Sequence, residues 1–115
     1  MRSQNKYKAR KIETSDGVFD SKKEYERWLT LKEMEKLDLI ENLSRQVRYE
    51  LIPGQRVNGK ILERAVYYVA DFEYIENGQK VVEDVKGYRD GAAYRIFVIK
   101  RKLMLYIHGI RVKEI

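Results

Sequence analysis

Two aspartates and a lysine on neighbouring predicted strands are the residues best suited to chemistry. Asn77 and Gly78 tolerate positive φ and predict a two-residue hairpin turn, across which residues whose numbers sum to 155 face each other. Asp71 then faces Asp84, and Lys86 lies two residues further along the same face. Opposed carboxylates at an effective dielectric of about 20 repel by on the order of 3 kcal/mol, so the pair requires a cation. Lys86 supplies part of that charge, and a divalent ion bound by carboxylate oxygens can supply the rest.

The same three side chains also fit a plainer interpretation. A surface ion-pair cluster on the polar face of an antiparallel sheet would place them at the same positions and would contribute little to stability. Glu83 precedes Asp84, but strand alternation puts it on the opposite face, where it faces Phe72. Parity therefore selects Asp84 as the partner of Lys86.

A third acid, Glu24, lies on the first predicted helix. Ser21 and Glu24 form a capping-box pattern, and the residues up to about Leu37 contain neither Gly nor Pro, which predicts a helix. Glu24 lies one turn before Trp28 and two before Leu31, so it shares the side that those apolar residues would bury. It can point at the sheet with the aspartates, or it can act only as a cap that bonds back to the Ser21 backbone.

Hydrophobic periodicity predicts the remaining elements. Alternation with period two predicts strands over about 45–51, 64–75 and 80–86, and residues 92–106 read as a second helix. Ile110 and Val112 predict a short last strand after a turn at His108 and Gly109, and His108 is given no role. The predicted order is therefore α, β, β, β, α, β, in a chain whose 115 residues suffice for about one domain.

Charge is distributed unevenly along the chain. Residues 1–11 carry +5, residues 12–85 carry −5 and residues 86–115 carry +6, so the net charge of +6 conceals two basic ends and an acidic middle. Basic ends suggest a polyanionic partner, because Lys and Arg near phosphates release counterions. A solvated basic tail is the alternative.

Two groups of basic residues are the candidate phosphate contacts. One lies in the N-terminal arm of residues 1–11, and the other lies in the second predicted helix, where its charges could instead complement the helix dipole. The candidate residues are Lys6, Lys8, Arg10 and Lys11 in the arm and Lys100, Arg101 and Lys102 in the helix.

Composition narrows the chemistry further. The chain has no cysteine and one histidine, which excludes disulfides, thiol nucleophiles and multi-histidine metal sites. No apolar run approaches the roughly 20 residues of a membrane helix, and no apolar region follows the basic first residues as it would in a signal peptide. We therefore expect no membrane partner and a cytoplasmic location.

These residues resemble the motif of the PD-(D/E)XK nuclease superfamily, in which an Asp on one strand is followed on the next by Asp or Glu, any residue and Lys. The matching segments are Tyr68–Phe72 (YVADF) and Val82–Gly87 (VEDVKG), and Phe19–Glu24 (FDSKKE) supplies the acid of the first helix. Ala70 stands where the motif has Pro, a variation that does not bear on metal binding. More narrowly, residues 7–115 are similar to small phage and prophage proteins grouped as Holliday-junction-resolvase-like, and more distantly to transposon-encoded end-cleaving nucleases.

The resemblance implies a fold and an activity. The fold is restriction-endonuclease-like: an α/β protein with an αβββαβ core, a mixed sheet and flanking helices, here over residues 12–115. The activity is a metal-dependent DNA endonuclease in which Asp71, Asp84 and Glu24 hold Mg²⁺ or Mn²⁺, and Lys86 positions the attacking water. These four would be the catalytic residues.

An accessory residue also follows from the resemblance. Gln46 is similar to a polar residue often found on the first strand of this superfamily. A tight hairpin at Asn58 and Gly59 would place Gln46 opposite Asp71, provided that no bulge near Pro53 changes the register.

The resemblance also implies a substrate and an assembly. The substrate would be DNA, branched or four-way, cut by a homodimer during phage or prophage DNA processing in a bacterial host, with no small-molecule cofactor. Two alternatives stay open. One is a non-catalytic nucleic-acid-binding accessory protein of the same fold, and the other is a transposition-type nuclease, for which little chain is left to form base-reading loops.

Overall fold

The computed structural model describes residues 10–115, in which two helices lie against a four-stranded sheet. Lys6 and Lys8 lie outside the described residues. No helix in residues 10–115 is long and apolar enough to cross a membrane. In chain order the elements are β1 (Ile12–Thr14), β2 (Gly17–Phe19), α1 (Lys22–Lys36), β3 (Glu41–Ile52), β4 (Gln55–Val57), β5 (Lys60–Glu63), β6 (Val66–Glu76), β7 (Gln79–Asp84), α2 (Gly91–His108) and β8 (Lys113–Glu114).

The main sheet is mixed. Its strand order is β3-β6-β7-β8, with antiparallel pairing of β3 with β6 and of β6 with β7, and parallel pairing of β7 with β8. Counted over this sheet and the helices, the chain order is α, β, β, β, α, β, as predicted. The predicted α/β class with a mixed sheet and two helices is confirmed.

Two hairpins of short strands stand outside the main sheet, and of these the sequence indicated only the turn at Asn58 and Gly59. β1 pairs with β2, and β4 pairs with β5. Strands of three or four residues are too short to show a periodicity, so hydrophobic alternation could not predict them. The last strand is also displaced from its prediction, because the pairing residues are 113–114 rather than Ile110 and Val112.

The register of β6 with β7 is confirmed. The observed pairs run from Glu76 with Gln79 to Phe72 with Glu83, and each pair sums to 155. Asn77 and Gly78 have φ values of 53° and 77°, as a type I′ turn requires. Since this register continues toward Asp71 and Asp84, the turn sets which acids meet.

The predicted register of β3 with β6 is also confirmed, although bulges occur. The β4–β5 hairpin starts at a sum of 117, and one shift moves it to 118 at Ile52 with Val66. A second shift restores 117 at Glu50 with Tyr67, and that sum holds as far as Ser44 with Glu73. The two bulges therefore cancel before the strand reaches Gln46.

The hydrophobic core consists of two clusters on opposite faces of the sheet. Val81 and Val82, consecutive on β7, pack in different clusters, and consecutive strand residues point to opposite faces. One cluster contains α1 residues such as Trp28 and Leu31, and the other contains α2 residues such as Phe97. The sheet is therefore covered by one helix on each face.

The buried side chains of β6 point to different faces of the sheet in its two halves. Tyr68 and Ala70 pack in the α2 cluster, whereas Phe72 and Tyr74, which continue the same alternation, pack in the α1 cluster. The change occurs opposite Gln46 on β3, whose φ of 55° interrupts regular pairing there. The regular alternation expected from the sequence is wrong at this point, and Asp71 lies where the faces change.

The outward side of α2 carries exposed apolar residues. Ile96, Ile99 and Tyr106, at helical spacings of three and seven, are exposed, and Tyr106 is 87% exposed. We call this surface the outer face of α2. The charged residues of the helix are all basic: Arg95, Lys100, Arg101 and Lys102.

Candidate active site

Glu24 is held in the core by the start of α1. The Ser21 Oγ accepts a hydrogen bond from the Glu24 N–H at 3.0 Å, which confirms the predicted N-cap. Glu24 is 3% exposed and shares the buried side of α1 with Trp28 and Leu31. Its Oε1 accepts a hydrogen bond from the Asp20 N–H at 3.3 Å rather than from Ser21, so the carboxylate is only partly used in capping.

Asp84 is a buried carboxylate with a donor on each oxygen. Its Oδ2 accepts a hydrogen bond from the Tyr68 hydroxyl at 2.7 Å, and its Oδ1 lies 3.4 Å from the Lys86 Nζ. The residue is 5% exposed. The Asp84–Lys86 contact is therefore an ion pair at a buried carboxylate rather than on a solvent-exposed face of the sheet.

Asp71 is fixed by the neighbouring strand end and by β3. Its Oδ2 accepts a hydrogen bond from the Val85 N–H at 2.8 Å, immediately after β7. Its Oδ1 lies 3.4 Å from the Gln46 Nε2, which brings the predicted accessory residue into the site. Both oxygens are therefore oriented by the backbone register.

Lys86 is confined between an acid and an aromatic ring. Its Nζ lies 4.0 Å from the centroid of the Phe97 ring of α2, and its side chain is 23% exposed. A cation over a ring face is attracted by the ring quadrupole. Lys86 is therefore held at one defined place beside Asp84.

Glu24 reaches the aspartates through Gln46. The Gln46 Nε2 lies 3.4 Å from the Glu24 Oε2 and 3.4 Å from the Asp71 Oδ1. Arg45, the residue before it, places Nη2 3.7 Å from the same Glu24 oxygen. Glu24 therefore contacts Arg45 and the Gln46 amide, and it is linked to Asp71 only through Gln46.

Burial and like charge act together on the acids. Burial, followed by the charge of Asp84 and a hydrogen bond with it, raises the pKa of Asp71 to about 8. Burial and the nearby Asp20 raise the pKa of Glu24, and Arg45 opposes that change. Burial and Asp84 also raise the pKa of Tyr68, so its hydroxyl remains a donor. The site is therefore short of positive charge.

An open cleft of about 1260 Å³ contains these acids. Its lining mixes the candidate acids with basic side chains from the start of the described chain and of α1. The charged and polar lining residues are Arg10, Lys11, Asp20, Ser21, Lys22, Lys23, Glu24, Gln46, Asp71, Asp84 and Lys86. A basic rim around an acidic floor suits an anion that is bound together with a cation.

The predicted phosphate contacts fall in different places. Arg10 and Lys11 line the cleft, where the Lys11 Nζ lies 3.2 Å from Asp20 Oδ1. Lys100, Arg101 and Lys102 lie in the middle of α2 and do not line the cleft. The helix-dipole explanation for these three is wrong, because the dipole acts within the last turn and α2 continues to His108.

Two single residues also differ from expectation. Only part of the Arg101 guanidinium is free to bind phosphate, because its Nη1 donates a hydrogen bond to Glu114 Oε1 at 2.9 Å. His108 ends α2 rather than lying in a turn, and its Nε2 is 2.7 Å from the Glu50 carbonyl oxygen.

Glu83 takes part in a separate buried network on the α1 face. It is fully buried, accepts two hydrogen bonds from Arg27 at 2.8 and 2.6 Å, and accepts another from the Tyr74 hydroxyl. This confirms that Glu83 and Asp84 point to opposite faces. The network ties β7 to α1 but does not enter the cleft.

The described residues contain no group of three or more His, Cys, Asp or Glu side chains placed to hold a metal ion. The three acids predicted as ligands are therefore not gathered into one cluster, because Gln46 lies between Glu24 and Asp71. Asp71 and Asp84 alone still offer a suitable donor set, since Mg²⁺ is commonly bound by one or two carboxylates together with substrate phosphate and water.

Sequence reasoning missed three contributors to the site. Tyr68 bonds Asp84, Arg45 pairs with Glu24, and the Lys23 Nζ donates to the Lys86 carbonyl oxygen at 2.7 Å. Arg45 and Lys23 each adjoin a residue that was singled out, which is the one signal that could have found them.

The molecule is thus an α/β protein with a pair of aspartates and a lysine in an open, basic-rimmed cleft. It belongs to the family described as protein of unknown function (DUF1064), whose model matches residues 4–112. No curated protein and no solved structure matches the chain.

Proposed function

We propose that this protein is a metal-dependent DNA endonuclease with a restriction-endonuclease-like core. The observation that carries the proposal is the convergence of Asp71, Asp84 and Lys86 on one cleft, with each of their polar ends held by a named partner. A buried acid beside a half-buried one is costly without a cation.

Asp71 and Asp84 would hold a Mg²⁺ or Mn²⁺ ion, and Glu24 would add negative charge behind them. When bound, such an ion supplies charge neutralisation for the scissile phosphate and lowers the pKa of an attacking water. Tyr68 and the Val85 N–H orient the two acids, as outer partners of metal ligands do.

Lys86 acts on the water and on developing charge. Its ammonium group is fixed by Asp84 and Phe97, so it can donate a hydrogen bond toward the phosphate without first ordering a flexible chain. A cation held in a partly dry site stabilises the added negative charge at phosphorus more than one in water does.

DNA is the proposed partner because the cleft rim is basic. Arg10, Lys11 and Lys22 line the rim, and the predicted arm adds Lys6 and Lys8. Such contacts hold phosphates without reading bases, which fits recognition of branched DNA by shape. The proposed setting is phage or prophage DNA processing in the cytoplasm of a bacterial host, with no membrane partner and no small-molecule cofactor.

A homodimer is the proposed assembly. Two nicks in a four-way junction require two sites, and the outer face of α2 offers an apolar surface for a second copy. Ile96, Ile99 and Tyr106 would lie at the centre of that contact. Lys100 and Lys102 then flank a protein contact, and their charges can face DNA from its edge.

A non-catalytic DNA-binding protein of the same fold is the second candidate. The observation that favours it is the engagement of Glu24 by Arg45 and Gln46, which leaves two acids rather than three for a metal. A transposition-type end-cleaving nuclease is a further candidate function for the same site, and it would be distinguished by its substrate.

The test is cleavage of a synthetic four-way junction, a linear duplex and a single strand, each with Mg²⁺, Mn²⁺ or EDTA. We expect metal-dependent cleavage of the junction, loss of cleavage in Asp84→Asn and Lys86→Ala, and retained junction binding in both. Asp38→Asn and Lys60→Ala, at exposed positions outside the cleft, are the matched controls and should cleave normally.

Each contrary result has a defined meaning. Cleavage by purified Asp84→Asn protein at the wild-type rate would overturn the mechanism. Junction binding without cleavage under every metal condition would favour the non-catalytic candidate, and cleavage confined to particular duplex ends would favour the transposition-type nuclease.

A further inference from the structure

Arg45 is a partly buried cation built into the acidic site. Its Nη2 donates to the Val18 carbonyl oxygen at 2.8 Å and lies 3.7 Å from the Glu24 Oε2. Its guanidinium lies 3.7 Å from the centroid of the Phe19 ring, and its side chain is 19% exposed. Arg45 is therefore held against Glu24 by a carbonyl, a ring and a carboxylate together.

The β1–β2 hairpin is shaped to accept this arginine. A Cβ at Gly17 would lie 3.0 Å from the Arg45 Nη1, closer than such contacts comfortably allow. Gly17 also has a φ of 117°, which favours glycine. The hairpin that the sequence did not predict thus forms one wall of the arginine pocket.

Gln46 separates Glu24 from the two aspartates. Its amide nitrogen lies 3.4 Å from both Glu24 Oε2 and Asp71 Oδ1, so it fills the space that an ion bridging those acids would need. An ion shared by Glu24 and Asp71 would have to displace this amide and compete with Arg45 for the same oxygen.

Charge balance also favours one divalent cation over two. With Glu24, Asp71 and Asp84 ionised, the acids carry three negative charges, and Arg45 and Lys86 return two positive ones. One divalent cation leaves the site with a charge of +1, which matches one phosphodiester. A second divalent cation would leave +3, an excess that a phosphate does not balance.

We propose that the site binds one divalent cation, on Asp71 and Asp84, and that Arg45 takes the place of a second cation beside Glu24. This inference rests on the metal binding in the proposed function. It makes Arg45 a positioning residue that holds Glu24.

The experiment is titration of the metal-free protein with Mn²⁺, without DNA, followed by calorimetry and by the electron paramagnetic resonance signal of free Mn²⁺. We expect one bound ion per wild-type chain, one in Glu24→Gln, and none in Asp84→Asn. Arg45→Lys should keep one ion, because it keeps the charge. Arg45→Met, which keeps apolar contact with Phe19 but removes the charge, should bind two, and Arg45→Met with Glu24→Gln should return to one.

The outcomes separate the two proposals. Two ions in the wild type, or a count that falls in Glu24→Gln, would overturn the single-cation inference while leaving metal-dependent cleavage intact. No binding in the wild type at millimolar Mn²⁺ would overturn the inference made here, whereas the cleavage assay separately decides the proposed function, because substrate phosphate can complete the ligand set of two carboxylates. Circular dichroism and thermal melting establish that each variant is folded. The wild-type and Glu24→Gln counts decide the number of ions, and a count of one in folded Arg45→Met would overturn the role given to Arg45.

Discussion

Asp71 is the residue at which burial and repulsion act most directly against ionisation. Its raised pKa means that the folded state prefers the protonated acid, whereas the unfolded chain releases the proton near pH 4. The stabilisation is complete below the unfolded pKa, declines as the pH rises, and is lost once the pH passes the folded pKa of about 8. The metal-free protein therefore loses stability between acid and alkaline conditions.

Asp71→Asn should remove this pH dependence. Relative to wild type, we expect the variant to gain at least roughly 5 °C in Tm at pH 9 compared with pH 5, the change that about 1 kcal/mol produces in a domain of this size. Thermal melts in EDTA across that range measure the difference, with Asp38→Asn as control. Parallel curves for Asp71→Asn and wild type would show that Asp71 ionises normally.

The Arg27–Glu83 pair gives a second prediction at this scale. Arg27→Met would leave Glu83 buried without its partner, so we expect the free energy of unfolding to fall by about 3–5 kcal/mol. Adding Glu83→Leu should restore most of it. Lys22→Met, which breaks an exposed pair with Glu26, should change stability by less than about 1 kcal/mol. Urea denaturation measures all three, and equal losses for Arg27→Met and Lys22→Met would contradict the prediction.

At the residue scale, the sequence could predict what local spacing determines. The hairpin turn determines the facing of Asp84 and Glu83, because strand parity needs only a count from the turn, whereas Asp71 lies where β6 changes face. Tyr68 and Arg45 could not be predicted as site residues. Their contacts join residues distant in the chain and depend on where β6 changes face.

β8 is a small element with a large effect on the site. The Ile115 N–H donates to the Asp84 carbonyl oxygen at 2.9 Å, and the Lys86 N–H donates to the Ile115 carbonyl oxygen at 3.3 Å. Glu114 accepts hydrogen bonds from three side chains: Arg89, Tyr94 and Arg101. These bonds anchor the segment that carries Asp84 and Lys86.

Glu114→Ala should loosen this segment. Three donors would lose one acceptor, so we expect a loss of about 1–3 kcal/mol in stability and faster amide hydrogen exchange at Lys86. Glu114→Gln keeps an acceptor oxygen, so its stability and its Lys86 exchange rate should lie between those of Glu114→Ala and wild type. Nuclear magnetic resonance of the Lys86 amide provides the measurement, and unchanged exchange in Glu114→Ala would contradict this role.

At the element scale, long periodic segments could be predicted and short ones could not. α1 begins after Ser21 as its capping pattern predicts, and β6 and β7 pair as the turn predicts. The two residues of β8 show no alternation of apolar and polar side chains. Pairing with β7 and the contacts of Glu114 hold this strand in place. Tertiary contacts therefore determine where the last strand pairs, whereas the strands of the two small hairpins are too short to be predicted.

The whole molecule combines an acidic, basic-rimmed cleft with a helix whose outer face is apolar. All the charged residues of α2 are basic, so two copies paired through this helix would bring like charges near each other. Screening by salt weakens such repulsion and leaves apolar contact unaffected. Dimer strength and DNA affinity should therefore respond to salt in opposite directions.

We expect the dimer to tighten between 50 and 500 mM NaCl, conditions chosen to change screening severalfold. Ile99→Glu should give a monomer that still folds, because Ile99 is exposed, and Glu33→Gln on α1 is a control that should not alter the assembly. Sedimentation equilibrium measures the dissociation constant. A wild-type monomer at every salt concentration, or a dimer unaffected by Ile99→Glu, would exclude this surface as the interface.

The two-residue turn at Asn77 and Gly78 also constrains how such a chain can evolve. One residue inserted there would shift the pairing register of β6 with β7 by one residue, unless a bulge absorbed it. Glu83 would then point into the cleft in place of Asp84. The β4–β5 hairpin carries no comparable restriction, since its two bulges already show that extra residues there are compensated before Gln46. Descendants of this sequence should therefore vary in length at one hairpin and keep the other unchanged.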